Sequence, residues 1–417
     1  MKEEKVDQIG YDYIDQPVPQ NERRSWWEIT FITSGFSLAV SGMFAGAALA
    51  TEMTLMSVIA TILLGNILLT VIGGAMGAIG ATTGVPTSMI AKRAFGRYAA
   101  ILISLLWAIV LVGWFSVQTG FFGQAINAML PRDNFLTSTS IASLWGGALM
   151  ITTAFIGYKA IRMLSNIAIP LLLILSVVGI WTALSYVGGW SELETVTEGS
   201  LTVLSATTIV VGTFVTGAVI QPDISRFAKS AKDAWIAMFL GMVVANGFIV
   251  FAGAVTALAM GTGDLPAAMV SLGLGIPGLI ILIGAQWTSN DSNLYSASIS
   301  FANVFKIKRA YIVLIVGIVG TILGAIGVAD YFTVFLSTIG TIIPPIAGVV
   351  VADYYILNKE KYLKRNYTDS NIIWPAFLAW GIGILAGLFL NFGIAAVNSL
   401  VVAFLVHLLL SKFANKK

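Results

Sequence analysis

The chain has 417 residues, 57% hydrophobic and 10% charged, a balance that cannot cover a water-facing surface and places the chain in a bilayer. No cysteine and a single histidine, His407, exclude disulfides, thiol nucleophiles, iron–sulfur clusters and a histidine-based metal cluster. The net charge of +3 is too small to argue for nucleic-acid binding, and long unbroken apolar runs exclude a β-barrel.

In chain order, residues 1–25 are polar, with Gln-Pro-Val-Pro-Gln at 16–20, and predict a flexible cytoplasmic tail with no signal peptide ahead of the first span. Apolar stretches long enough to cross about 30 Å of hydrocarbon follow at 27–50, 55–80, 98–127, 139–158, 163–187 and 201–221, then at 233–259, 276–304, 310–328, 332–355, 372–391 and 393–412. The reading is an all-α polytopic membrane protein with twelve spans. With both termini cytoplasmic, every Lys and Arg except Arg132 falls on the inside, as the positive-inside rule requires. The outer connections carry acids instead: Glu52, Asp133, Glu192, Glu194, Glu198, Asp264 and Asp330. No Gly-x-x-x-x-Gly-Lys-[Ser/Thr] loop exists to drive an ATP-powered pump.

Span 1 places Gly35 with Thr33, Ser34 and Ser37 near its middle, and span 6 places Gly212, Thr213, Thr216 and Gly217 likewise. Gly and hydroxyl residues also serve plain helix packing. Two such spans, five apart and therefore opposite in direction, predict an inverted repeat whose first helices are both discontinuous. The units are then 26–190, 200–355, an added pair at 370–413 and a short tail at 414–417. In span 2, Gly73, Gly77, Gly80 and Gly84 form a stripe for close helix contact.

Span 3 sets Trp114 and Gln118 on one helix face, a flat π-surface beside an amide edge, unless Gln118 bonds a neighbouring helix. Span 8 is the most polar, reading Gly-Ala-Gln-Trp-Thr-Ser-Asn-Asp-Ser-Asn-Leu-Tyr-Ser-Ala-Ser over 284–298. The adjacent hydroxyls of Thr288 and Ser289 suit a hard cation such as Na⁺. Asp291 reads as the only carboxylate deep in a span, either for ion or proton coupling or for a structural bond. Pro277 starts span 8, Pro344 and Pro345 interrupt span 10 as a candidate gating hinge, and His407 reads as a packing residue. With no Lys or Arg deep in any span, the polar and aromatic inventory fits a neutral, flat heterocycle. One buried acid, one peripheral histidine and no cysteine leave an intramembrane enzyme without a catalytic constellation, and paired broken helices favour a carrier over a channel.

Taken together, Pro-Val-Pro-Gln (17–20), Leu-Leu-Gly-Asn (63–66), Gly-Trp-Phe (113–115), Trp-Thr-Ser-Asn-Asp (287–291), Leu-Tyr (294–295), Phe-Ala-Asn (301–303), Ile-Pro-Pro (343–345) and Ala-Asp-Tyr (352–354) resemble the nucleobase–cation symporter family 1, nearly end to end. The resemblance implies a LeuT-like five-plus-five inverted repeat with two extra C-terminal helices, alternating access, a monomer in a bacterial inner membrane, and Na⁺ as coupling ion with no other cofactor. It implies an ion site of the Gly35, Leu38 and Ala285 carbonyls with the Thr288 and Ser289 hydroxyls. It also implies a base site with Trp114 and Phe214 as the aromatic sandwich and Thr213, Thr216 and Asn290 as polar contacts. Members that carry cytosine have a glutamine where this chain has Leu111 and an asparagine where it has Ala285, whereas Gln118 resembles the arrangement in hydantoin carriers. Cytosine leads the substrates so implied, followed by hydroxymethylpyrimidine, purines, hydantoin and allantoin.

Overall fold

The computed structural model describes residues 16–130, 134–156, 158–193, 199, 201–364 and 370–414; Arg132, Asp133, Glu194, Glu198 and Arg365, with the first fifteen residues of the expected tail and the last three of the chain, lie outside them. Every regular element among these residues is helical. Seven helices are long and apolar enough to cross a membrane, and Phe31, Trp181 and Phe389 are among the large apolar side chains turned outward, as lipid contact requires.

The first span is two helices, α1 (Trp26–Ser37) and α2 (Val40–Ala50), bent by 55° across Leu38 and Ala39. Ala39 is extended, so the helical ladder stops, and no backbone N–H among the described residues reaches the Gly35 or Leu38 carbonyl. Ser25 begins α1 with a capping box, its N–H donating to Glu28 at 3.0 Å. α3 (Leu55–Thr83) ends at Gly84, whose φ of 72° is the left-handed cap only glycine adopts freely. Gly84 is thus a terminator and not the fourth member of a packing stripe. Gly73, Gly77 and Gly80 do pack closely, against Met238, Gln221 and Pro222.

α4 (Thr87–Phe95) is a short surface helix, after which α5 (Arg97–Met129), α6 (Thr139–Ile156) and α7 (Tyr158–Val187) complete the first half. α8 (Val203–Val219) runs unbroken through Gly212, Thr213, Thr216 and Gly217. The expected interruption of span 6 instead comes at Ile220 and Gln221, before the short α9 (Pro222–Ser225). Glycine alone does not break a helix whose neighbours hold it; Gly212 lies against the Leu336 carbonyl, where a Cβ has no room.

The next span joins α10 (Ala231–Phe239) to α11 (Gly247–Met260) through a π-helical turn, Leu240–Asn246. α1 packs on α10 and the π turn, while α2 packs on α11. The second contact is the closest in the molecule: Gly46 meets the Val250 carbonyl and Gly253 meets the Met43 carbonyl, with no space for a side chain at either. α12 (Leu265–Ser271) precedes α13 (Gly275–Phe305), which packs on α5, α6, α7 and α14 (Arg309–Ala325).

α15 (Phe332–Ile342) and α16 (Pro344–Ala352) follow one another as a single apolar run from Val328 to Leu357, because Ile343 keeps helical dihedrals and the prolines occupy first-turn positions where no donor is missed. The prolines therefore interrupt the ladder without the sharp bend seen in span 1. α17 (Lys359–Leu363), α18 (Trp374–Phe389) and α19 (Ala395–Ala414) complete the chain, α19 packing on α16 and α18.

Two further expectations change. Val18, in the stretch expected to be a loose tail, is buried and its N–H bonds the Gly84 carbonyl at 2.9 Å, while Arg24 exchanges backbone bonds with Phe227 and Lys229. Arg23 donates to the Ala81 carbonyl, satisfying an end of α3. Asp291 is also not the only buried acid: Asp353 is 2% exposed and accepts from Asn358 (2.8 Å), Lys361 (3.1 Å) and Tyr362 (2.5 Å). His407 of α19 stands 3.4 Å from the same carboxylate, so it packs in the core with a polar partner.

Gly46→Val is expected to lower stability by about 3 kcal/mol, because a backbone carbonyl cannot yield as a side chain would; thermal unfolding in detergent measures it, and an unchanged transition contradicts the close contact. Asp353→Ala strands a buried lysine and histidine together and is expected to cost about 3 kcal/mol on the same measurement, more than Lys361→Ala.

Candidate functional site

α5 supplies Trp114 and Gln118 one turn apart, both buried. The indole stands edge-on to Phe332 at 6.0 Å and to Phe335 at 5.2 Å, both on α15. Phe332 in turn contacts Phe121 at 5.0 Å, and Phe121 stacks on Phe44 of α2 at 3.8 Å. This aromatic row borders a 320 Å³ cavity whose lining includes Gln124, Asp264 and Asp330. Phe44, Phe121, Phe332 and Phe335 escape a reading of the sequence because isolated phenylalanines in apolar helices carry no signal; only the packing brings them to Trp114.

Gln118 is 3% exposed, and its Oε1 has no hydrogen-bond partner among the described residues. On α13, Asn290 is fully buried, and its Nδ2 donates to the Phe115 carbonyl (3.1 Å) and Thr119 Oγ1 (3.0 Å) of α5. Its donors are spent on holding two helices together. Its Oδ1 is left without a partner, as are both polar atoms of buried Gln286. A buried acceptor without a donor costs roughly 1–3 kcal/mol, so such oxygens gathered beside one indole are places where a ligand's N–H groups recover what folding leaves unpaid. Asp291 turns to α6, where Thr153 Oγ1 donates to it at 2.8 Å and Trp287 Nε1 donates to Thr153 at 2.9 Å.

α8 carries the remaining expected contacts. Phe214 is half-buried, with its ring folded against Gly217; Trp114 has its ring partners on α15 and α5's surroundings, and Phe214 is not one of them. Thr216 is buried with its hydroxyl unpartnered. Thr213 is half-buried, donates to the Val210 carbonyl at 2.7 Å and accepts from Asn246 at 3.2 Å.

The expected ion ligands sit on α1 and α13. Gly35 and Leu38 flank the span 1 break, where their carbonyls lack backbone donors. Ala285 and Thr288 are buried, Ser289 is half-buried, and Thr288 Oγ1 donates to the Ala285 carbonyl at 2.9 Å. No cluster of three His, Cys, Asp or Glu occurs among the described residues, so these oxygens suit a monovalent cation and not a transition metal. The two break regions are linked: Gln221 Nε2 donates to Thr33 Oγ1 at 2.9 Å, and Ser37 Oγ donates to the Gly241 carbonyl of the π turn at 2.9 Å.

Residues 17–410 match the family model described as permease for cytosine/purines, uracil, thiamine, allantoin. The cytosine permease of Escherichia coli (strain K12) is 32% identical over 409 residues, covering 97% of this chain and 96% of the relative. The hydantoin permease of Microbacterium maritypicum is 25% identical over 364 residues, covering 78% and 73%. Among solved structures, the inward-facing conformation of Mhp1 superposes with a TM-score of 0.84 at 20% identity, covering 96% of this chain and 93% of that one. The same transporter in a closed conformation with bromovinylhydantoin bound gives 0.78 at 19% identity, covering 97% and 95%. This chain accordingly belongs to the permeases for cytosine/purines, uracil, thiamine and allantoin, the nucleobase–cation symporter family 1, and is an integral membrane transporter and not an enzyme.

Proposed function

We propose that the protein imports a neutral nucleobase, cytosine first, together with Na⁺, by alternating access across a bacterial inner membrane with both termini inside. The observation that carries this is the pair of buried, unpartnered amide oxygens, Gln118 Oε1 and Asn290 Oδ1, on the helices that bear and face Trp114. An indole face stacks any flat heterocycle, and acceptors recognise its N–H edge. The 32% identity to the Escherichia coli cytosine permease puts cytosine ahead of hydroxymethylpyrimidine, purines, hydantoin and allantoin. Trp114 and Phe214 hold the ring in this reading, with Gln118, Thr213, Thr216 and Asn290 at its edge.

Twelve crossings follow from adding, to the seven long apolar helices, the bent α1–α2 pair, the shorter apolar helices at Thr139–Phe155, Arg309–Ala325 and Trp374–Phe389, and the polar α13. Residues 26–190 and 200–355 are then inverted repeats, with 370–413 an added pair. In this arrangement Na⁺ takes the Gly35, Leu38 and Ala285 carbonyls and the Thr288 and Ser289 hydroxyls, joining the broken span 1 to α13. Loss of the ion frees the two to part, with the flexible joints at Leu38 and at Pro344 and Pro345. The competing arrangement is proton coupling through Asp291, favoured by its burial against Thr153 as its hydroxyl partner. The protein acts as a monomer.

Thermal shift of the purified protein with cytosine, uracil, hydroxymethylpyrimidine, hypoxanthine, allantoin and hydantoin, each in Na⁺ and in choline, tests the reading, since a ligand of the folded state alone raises apparent stability. A shift with cytosine that needs Na⁺ is expected; a shift with another compound alone removes the substrate assignment, and one indifferent to Na⁺ removes the coupling. Trp114→Ala is expected to weaken base binding roughly tenfold or more, stacking and burial being lost together. Thr288→Ala is expected to raise the Na⁺ needed for half-maximal uptake roughly tenfold while leaving the order of preference among bases unchanged. Asp291→Asn with Na⁺-driven uptake intact would exclude the proton arrangement.

A further inference from the structure

A chain of side-chain hydrogen bonds runs from α3 through the π turn to α8. Asn66 Nδ2 donates to the Ile62 carbonyl at 2.9 Å. Asn66 Oδ1 accepts from Asn246 Nδ2 at 2.8 Å, and that nitrogen also donates to Thr213 Oγ1 at 3.2 Å. Thr213 Oγ1 donates to the Val210 carbonyl at 2.7 Å. Both ends are backbone carbonyls, which can only accept. That fixes the direction of every bond between them: Asn66 must point its nitrogen at Ile62 and so its oxygen at Asn246, and Asn246 must present its nitrogen to both neighbours. Asn66 and Asn246 are buried, and a buried amide spanning three helices is costly unless fully engaged.

The consequence falls on Thr213. Its hydrogen is committed to Val210 and one lone pair is taken by Asn246, so its half-buried oxygen offers a ligand a single remaining lone pair. A ligand N–H or amino group is attracted there; a ligand carbonyl meets lone pair against lone pair and is rejected. The π turn makes this possible, because the residue inserted into the helix sets the register at which Asn246 lies against both Asn66 and Thr213. We propose that Asn246, oriented by Asn66, is a positioning residue that holds Thr213 as an acceptor and so selects heterocycles presenting an N–H or amino edge to α8. This deepens the proposed function and rests on the reading of Thr213 as a contact of the transported base.

The test is a double-mutant cycle on the full chain in detergent, with cytosine affinity measured by calorimetry in Na⁺ for wild type, Thr213→Val, Asn246→Leu and the pair, alongside uptake rates in reconstituted vesicles. Each single variant is expected to weaken cytosine binding roughly tenfold and raise KM with maximal rate within about twofold, and the double variant to be no weaker than the poorer single one, because both remove the same contact. Thr213→Ser, which keeps the hydroxyl, is expected to bind as wild type. Multiplying losses in the double variant, or unchanged affinity in Asn246→Leu, overturns the inference. Asn246→Ala takes the place of Asn246→Leu if the larger side chain prevents folding. Wild-type protein that binds no cytosine in Na⁺ overturns the functional reading and this inference with it, whereas wild-type binding with independent losses overturns the inference alone.

Discussion

Within a bilayer every backbone N–H and C=O must find a partner inside the protein, because lipid offers none. That requirement governs where this chain can depart from the α-helix, and each departure is met by a specific neighbour. The break in span 1 leaves carbonyls without ladder partners, and Ser37 closes part of the gap by bonding the π turn. The turn after α8 is joined to α1 by Gln221 and Thr33. The π turn itself frees polar groups that serve both α1 and α8. Irregular backbone thus collects in one region, and the polar side chains that support it are the ones available to a ligand.

The same side chains divide their hydrogen-bonding capacity between holding helices and facing the site. Asn290 uses its two donors on α5 and keeps an unpaired oxygen; Thr213 uses its donor on its own helix and keeps one lone pair. A residue can therefore be structural and recognitive at once, and its chemistry toward a substrate is what its structural bonds leave over. At this site the remainder consists of acceptors, which suits the N–H-rich edge of a nucleobase better than an anion.

Much of this was legible in the sequence, and the pattern of success has a physical cause. Hydrophobic length and the side bias of Lys and Arg are properties of whole segments, so the spans could be read directly. Trp114, Gln118, Asn290 and Thr288 stood out because polar residues in apolar helices are expensive and therefore informative. The position of the second break was not legible: Gly212 and Gly217 signal only a small side chain, and whether that serves a break or a close contact depends on Leu336 and Phe214, which lie elsewhere in the chain or on the far side of the turn. The aromatic row from Phe44 to Trp114 was hidden for the same reason. Asp353 was overlooked because its neighbours Lys361 and Tyr362 lie beyond the apparent end of its span, and its fourth partner, His407, is 54 residues away. A π turn leaves no mark on hydropathy at all.

The π turn bears on how this family member can tolerate changes in chain length. Loops ordinarily absorb insertions and deletions, and the interior of a long membrane helix does not, because one residue rotates everything beyond it by about 100°. Leu240–Asn246 already contains the extra residue. Removing one position there would relax the turn to an ordinary α-helix and swing α11 round, so that Gly253 no longer met Met43 and Val250 no longer met Gly46. The tight seam between α2 and α11 therefore acts as a ruler for the middle of its own span: a shortened turn is incompatible with the glycines that follow it, and the irregularity persists because the regular helix cannot be closed against its neighbour.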